Sequence, residues 1–334
     1  MASATSISDA LARGEIVGFL RAADPGALFE RADAARRACV GEAVVIRGLV
    51  EFSNHCARNC LYCGLRRDNA ALPRYRMPSP EIREAVEGLI AQGIASVVLQ
   101  SGDDLSYSRD AVCRLLREIK GAHPGVALTL SMGERPLDDY RAFRDAGADR
   151  YLLKHETASP ALYARLHPGQ SFERRMEVLR LLRDLGYQVG AGCIVGLPGQ
   201  NLDDLAADVL FLQELQPDMA GIGPFLPQAD TPLANEPAGS EDLTLRMLAL
   251  ARIVTRNAHL PATTALASLD PVGGLVAGLR AGCNIIMISG TPDEYRGQYR
   301  IYDRRRRVAL DAAREAVTDA GRTWSMGRGD SLKT

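Results

Sequence analysis

At 334 residues, with 46% hydrophobic and 24% charged composition, the chain has the make-up of a globular protein large enough to bury an extensive core. A net charge of −1 leaves no electrostatic footprint for nucleic acid, and no apolar run reaches the roughly 20 residues that span a bilayer. The opening stretch is polar and then amphipathic, with no basic segment leading into an apolar one, which predicts a cytoplasmic protein with reduced cysteines.

Residues 1–42 read as a helical extension. From residue 43 onward, short β-branched runs alternate with helical patterns. The runs fall at 43–54, 95–104, 126–134, 148–157, 188–199, 217–225, 261–268 and 282–290. Between the first two, Ser79 is expected to cap and Pro80 to open a helix whose apolar face is Ile82, Ala85, Val86, Leu89 and Ile90, ending at Gly93. Ser171 to Gly186 and Asn201 to Leu215 repeat the pattern. Eight strands alternating with helices over about 250 residues predict an α/β fold, a single (βα)8 TIM-type barrel over 43–290. A doubly wound open sheet is the competing arrangement. Residues 291–334 are expected to close the barrel as a helical tail.

Cys56, Cys60 and Cys63 follow the first run as C-x3-C-x2-C, while Cys39, Cys113, Cys193 and Cys283 are scattered. In a barrel, reactive groups sit just beyond the C-terminal ends of strands, which is where this loop falls. A [4Fe–4S] cluster usually takes four thiolates; three on one loop would hold three irons and leave the fourth open to a small molecule. A zinc knuckle completed by His55 is the alternative, although zinc cysteines usually come as C-x2-C pairs. On the third run Thr129 and Ser131 share one face, and on the fourth Lys154 and Glu156 share a face with Leu152. Such opposite charges at the inner end of a strand are either ligand contacts or a mutual salt bridge. His155 takes the other face and reads as a satisfied histidine beneath a helix. On the fifth run Gly190, Gly192 and Gly196 alternate with Ile194 and mark close approach by a ligand or by backbone.

The cysteine spacing, with Tyr62 directly before the third cysteine, resembles the radical SAM superfamily. The resemblance implies S-adenosylmethionine (SAM) on the open iron. Its methionine end would meet Gln100, Ser101, Gly102 and Asp103 of "LQSGDD", and its adenine would meet Tyr62. Longer runs resemble one branch, the HydE family of [FeFe]-hydrogenase maturases. They include "EFSNHCARNCLYCGLRRDN", "GADRYLLKHETA", "GYQVGAGCIVGLPGQ", "GIGPFLPQADTPLA", "PATTA" and the terminal "RGDS". That likeness covers about residues 45 to 300 and the chain's end. It implies one step in building the diiron part of the H-cluster, on a small organometallic or amino-acid-like substrate such as a cysteine-bound iron carbonyl cyanide. An electron donor such as a ferredoxin or flavodoxin, and sister maturases, are the implied partners.

Matching motifs place Glu156 and Arg175 on the ribose and carboxylate of SAM, with Thr129 and Ser131 lining its site. Lys154, Thr263, Thr264, Met287 and Tyr295 fall on the substrate side. Tyr299 and Tyr302 stand in the same closing segment, where the spacing is equally the stripe of a helix packed on the barrel mouth. The chain also departs from the family. Lys154 stands where arginine is usual, "MISGTP" (287–292) replaces a segment with Pro-Asn after Met, and the second cysteine group of some members is absent. The Arg304–Arg307 run reads as the solvated start of a terminal helix, with docking of an acidic partner as the alternative. A methylornithine synthase-like mutase, a biotin-synthase-like sulfur inserter and a non-catalytic iron–sulfur carrier are the competing functions. An inserter would be expected to bring a second cluster, and no second cysteine group is visible.

Overall fold

The first run forms the longest strand, Ala43–Ser53, in a computed structural model that describes residues 10–333; the first nine residues of the expected extension, and Thr334, lie outside the described residues. Gly48 marks the outer face of this strand, because a Cβ there would lie 2.4 Å from Leu89 Cδ1 on the helix Ser79–Ala91. Arg47, Leu49 and Glu51 therefore face inward. Seven further strands follow: Ser96–Ser101, Ala127–Ser131, Arg150–Leu152, Gln188–Ala191, Met219–Ala220, Pro261–Ala262 and Ile285–Ser289. Counted one to eight in chain order, they lie side by side as 6-5-4-3-2-1-8-7, every pair parallel. A parallel bridge between Met219 and His259 draws the two ends of that row together. The result is the nearly closed (βα)8 barrel of the expectation, not an open doubly wound sheet.

Helices cover the outside, preceded by Arg13–Arg21 and Gly26–Val40. Among the described residues no helix is long and apolar enough to cross a membrane. The helix after the first strand begins at Ser79, but Pro78 occupies its N-cap and Ser79 makes no capping bond. The other two helix starts form as expected. Ser171 Oγ accepts from Arg174 N, and Asn201 and Asp204 make a reciprocal capping box.

The two ends of the barrel differ. At the N-terminal end of the strands, the chain terminus fills the interior. Thr323–Ser325 pairs with the start of the first strand, and Arg328–Ser331 runs beneath the barrel. The buried Arg150 donates to Arg328 O, Gly329 O and Asp330 Oδ1, Arg47 donates to Gly329 O, and His259 Nε2 lies 2.9 Å from Asp330 O. The "RGDS" run is thus a plug far from the cysteine loop. At the C-terminal end, regular strand gives way early. The fourth strand stops at Leu152 rather than running to 157. The fifth breaks at Gly192, whose φ of +149° and 2.0 Å approach of a notional Cβ to Gly221 O admit only glycine, and it resumes at Ile194–Val195. The seventh has two residues before Thr263 caps the helix Thr264–Leu269.

Candidate active site at the barrel mouth

Cys56, Cys60 and Cys63 occupy the loop after the first strand, and all three are free thiols. One side chain organises that loop. Arg74 Nη1 donates to Asn54 O and Leu65 O at 2.6 and 2.9 Å, and its Nη2 donates to Arg66 O and Asn69 O at 2.7 and 3.2 Å. The loop after the second strand lies directly against it. A Cβ on Gly102 would fall 2.3 Å from His55 O and 2.7 Å from Cys56 Cβ, so glycine is required for that approach.

The spacing of the sulfurs tests which metal fits. Among the described residues only His155, Cys193 and Asp208 bring three ligand atoms within 4.8 Å of one another; the cysteine loop, with or without His55, does not. A single zinc ion with bonds of about 2.0–2.3 Å needs such closeness. A cluster that takes one sulfur per iron does not. Burial pushes all three thiols above their ordinary range, Cys60 up to about 12, so iron must displace protons to bind them. The His155 group is partly engaged by the protein itself, with His155 Nε2 3.4 Å from Asp208 Oδ1. His155 Nδ1 accepts from Gly192 N, its ring lies 4.6 Å from that of Phe211, and Asp208 Oδ1 accepts from Ala158 N at 2.5 Å. His155 therefore lies beneath the helix Leu202–Leu215, as its side of the strand predicted.

Beside the cysteines, loops from strands two, three and four join in a chain of charges. Arg58 Nε meets Asp103 Oδ2 at 2.6 Å and Arg58 Nη2 lies 3.5 Å from Glu134 Oε2. Glu134 Oε1 accepts from Arg175 Nε at 2.6 Å, and Arg175 Nη1 donates to Lys154 O at 2.6 Å. Burial raises the Asp103 carboxyl in spite of Arg58. Lys154 Nζ and Glu156 Oε2 stand 3.6 Å apart, an ion pair longer than a hydrogen bond. The strand has ended by then, so strict alternation no longer applies. Glu156 adopts φ +66°, held by Gly192 O accepting from its N–H and by its own carbonyl accepting from Ile194 N. Glu156 Oε2 and Thr129 Oγ1 are buried with no hydrogen-bond partner, which is the signature of a polar ligand site.

The remaining expected contacts distribute around this centre. Tyr62 OH lies 2.8 Å from His167 Nε2. Ser101 Oγ donates to Gly102 O at 2.7 Å, while Ser131 pairs in register with Gln100. Gln100 Nε2 donates to Tyr299 OH at 3.1 Å, which links the end of the second strand to the closing segment. That segment encloses a cavity of about 320 Å³ lined by Leu49, Thr264, Met287, Tyr299, Tyr302 and Arg305. Thr263 is not part of that lining; its Oγ1 accepts from Leu266 N and caps the helix that Thr264 opens. Tyr295 is not brought to the cavity; its hydroxyl donates to Glu81 at 2.7 Å and its ring packs on Tyr75. The Arg304–Arg307 run precedes its helix, which begins at Leu310, and Arg305 turns inward to the buried Glu51 while the other three are exposed.

Sequence reasoning missed Arg58, Arg74, Glu134, His167, Gln170 and the Glu51–Arg305 pair. Only Glu51 left a signal, an acid at the inward parity of an apolar strand.

The Radical SAM superfamily model matches residues 50–212. The chain is 52% identical to the [FeFe] hydrogenase maturase subunit HydE of Thermotoga maritima over 276 residues, covering 83% of this chain and 78% of that one. It is 29% identical to 3-methylornithine synthase of Methanosarcina acetivorans, over 74% and 69% of the two chains. The crystal structure of methylornithine synthase superposes with a TM-score of 0.82 at 25% identity over 94% of each chain. A crystal structure of HydG, a maturase of the [FeFe]-hydrogenase, shares the fold at a TM-score of 0.79 and 18% identity, over 95% of this chain and 73% of that one.

Proposed function

Because this chain belongs to the radical SAM superfamily and, within it, to the HydE family of [FeFe]-hydrogenase maturases, we propose that it performs one step in assembling the diiron part of the hydrogenase H-cluster. The observation that carries the reading is one barrel mouth holding three thiols on one loop, two buried oxygens without hydrogen-bond partners and a cavity. When bound, a [4Fe–4S] cluster and SAM supply one-electron cleavage of a sulfonium and a reactive adenosyl group. The chain's own residues hold and orient. Cys56, Cys60 and Cys63 take the cluster, and Gly102 lets the second-strand loop present Gln100, Ser101 and Asp103 to the methionine end. Glu134 fixes Arg175 for the SAM carboxylate. Glu156 meets the ribose, Thr129 and Ser131 line the same side, and Tyr62, anchored by His167, lies by the adenine.

In the cavity, Thr264, Met287, Tyr299 and Tyr302 would surround a small organometallic or amino-acid-like substrate, and Lys154 and Thr263, which are not part of its lining, would reach the substrate from neighbouring strand ends. The Tyr295 hydroxyl is occupied by Glu81, so the two later tyrosines take the role first given to it. A low-potential ferredoxin or flavodoxin of the cytoplasm would supply the electron, and sister maturases would exchange intermediates. The test is a maturation assay in which this protein replaces a known HydE, with SAM cleavage measured in parallel. Active hydrogenase is the expected outcome. Cleavage without maturation would refute the reading in favour of a mutase like methylornithine synthase.

A further inference from the structure

Hydrogen bonds to cluster sulfurs help to set the reduction potential of an iron–sulfur centre, so the donors to the three cysteines matter. Three of these donors are backbone. Cys56 Sγ accepts from Arg58 N at 3.4 Å and from the backbone N–H of Asp103, and Cys63 accepts from the backbone N–H of Leu65. Cys60 differs. Its sulfur lies 3.2 Å from Gln170 Nε2, a side chain 110 residues further along, between the helices Pro160–Leu166 and Phe172–Asp184.

The orientation of that amide follows from its other end. Gln170 Oε1 is 3.4 Å from Arg175 Nη2. Arginine has donors only, so the carbonyl oxygen faces Arg175 and the NH2 group faces the sulfur. The Gln170 backbone is held as well, its N–H donating to His167 O at 3.1 Å. Arg175 is fixed in turn by Glu134 and Lys154 O. One neutral amide therefore spans a cluster sulfur and the guanidinium assigned to the SAM side.

We propose that Gln170 is a positioning residue for the cluster, which raises its reduction potential through the N–H directed at Cys60 Sγ and ties that sulfur to the Arg175–Glu134 pair. A donor aimed at a thiolate stabilises the more negative, reduced cluster more than the oxidised one. Removing it makes reduction harder. The inference rests on the radical SAM cluster alone and is independent of which substrate fills the cavity.

The experiment uses the full chain, reconstituted anaerobically with iron and sulfide, with no substrate present. Gln170→Leu deletes donor and acceptor at similar volume, and Gln170→Glu keeps the shape while replacing the donor with an anion. Iron per chain is counted, and the midpoint potential is read by EPR-monitored titration. Both variants should carry wild-type iron and titrate at a more negative potential, the Glu variant further than the Leu variant. Wild-type potential in the Leu variant would overturn the proposal, even if the Glu variant shifts, because charge rather than the hydrogen bond would then be at work. Loss of iron in both would also overturn it, leaving Gln170 as a prop for the loop. If only the Leu variant loads, its potential decides; if only the Glu variant loads, Gln170→Met, which likewise lacks the donor and carries no charge, is titrated in place of the Leu variant. Hydrogenase maturation is not read, so the test succeeds or fails separately from the proposed function.

Discussion

Replacing Glu156 with glycine separates what this residue does for the fold from what it does for a ligand. Its φ of +66° lies in the left-handed region, which costs an ordinary residue about 1–2 kcal/mol. Glycine removes that strain but adds roughly 0.4–1 kcal/mol of backbone entropy to the unfolded chain. The Lys154 pair, 3.6 Å long with the lysine 30% exposed, contributes about 0–1 kcal/mol. The bonds to Gly192 O and Ile194 N are made by backbone and survive. The terms nearly cancel, so stability should change by no more than about 1 kcal/mol and Tm by about 3 °C. SAM binding should respond differently. Losing charge-assisted hydrogen bonds to Glu156, whose buried Oε2 has no hydrogen-bond partner within the protein, costs about 1.5–3 kcal/mol, a ten- to hundredfold weaker Kd. Anaerobic equilibrium dialysis with labelled SAM, alongside thermal melts and an iron count, reads all three quantities. Glu156→Ala should lose the same affinity yet be less stable than the glycine variant, because the strain remains. Wild-type SAM affinity in the glycine variant would refute the ligand role, and an alanine variant as stable as the glycine one would refute the strain.

Four further outcomes follow from the geometry. Cys60→Ala should abolish the four-iron cluster, whereas Cys113→Ala, on a buried helical sulfur beside Ala142 O, should load iron normally in a colorimetric assay. Arg74→Ala strips four carbonyls of their donor, should cost about 2–4 kcal/mol in denaturant titrations, and should speed iron loss to a chelator. Lys154→Ala should weaken substrate binding roughly ten- to hundredfold with SAM affinity little changed, and Lys154→Arg should sustain hydrogenase activity in the maturation assay. Burial, followed by the Arg47 charge, lowers His259 to about 3, below its unfolded value near 6.5. The unfolded chain therefore takes up the proton first, and this contribution to stability, complete above pH 6.5, is lost as pH falls toward 3. His259→Gln should flatten the pH dependence of apoprotein melts, sparing roughly 3 kcal/mol of the loss between pH 6.5 and 4.

The barrel was legible because its strands are buried on both faces and read as β-branched runs, each followed by a one-sided helix. Length was where the reading failed. Strands four to seven were expected to run several residues past their actual ends, since apolar and polar alternation continues through 153–157 and 193–199. Gly192 and the left-handed Glu156 break the extended backbone there; the glycine was legible as a place of close approach but not as a break, and Glu156 leaves no pattern that periodicity can register. Period-two reasoning still paired Lys154 with Glu156, although the two meet across irregular backbone and not on one strand face. The "RGDS" terminus stood out as a motif, but its role depends on Arg47 and Arg150, inward-facing residues of strands one and four that only closure of the barrel brings beneath it.

The same distinction explains which parts of the site could be read. The cysteine loop carries its chemistry in a local spacing, so its residues declare themselves. The charges behind it do not, because each partner comes from a different strand end: Arg58 from the first, Asp103 from the second, Glu134 from the third and Arg175 from the helix after the fourth. Arginine and glutamate are common on surfaces, and nothing along the chain separates these from solvated ones. What separates them is burial, since Glu134 and Arg175 are both below a tenth exposed and an isolated charge there would be costly. Each charge is tolerable only because the next one answers it, so the set is present as a whole or not at all. That coupling holds the four charged groups in place beside the cysteine loop. Near it, Glu156 Oε2 and Thr129 Oγ1 are among the buried polar atoms for which the chain supplies no partner, and the Gln170 amide reaches the Cys60 sulfur.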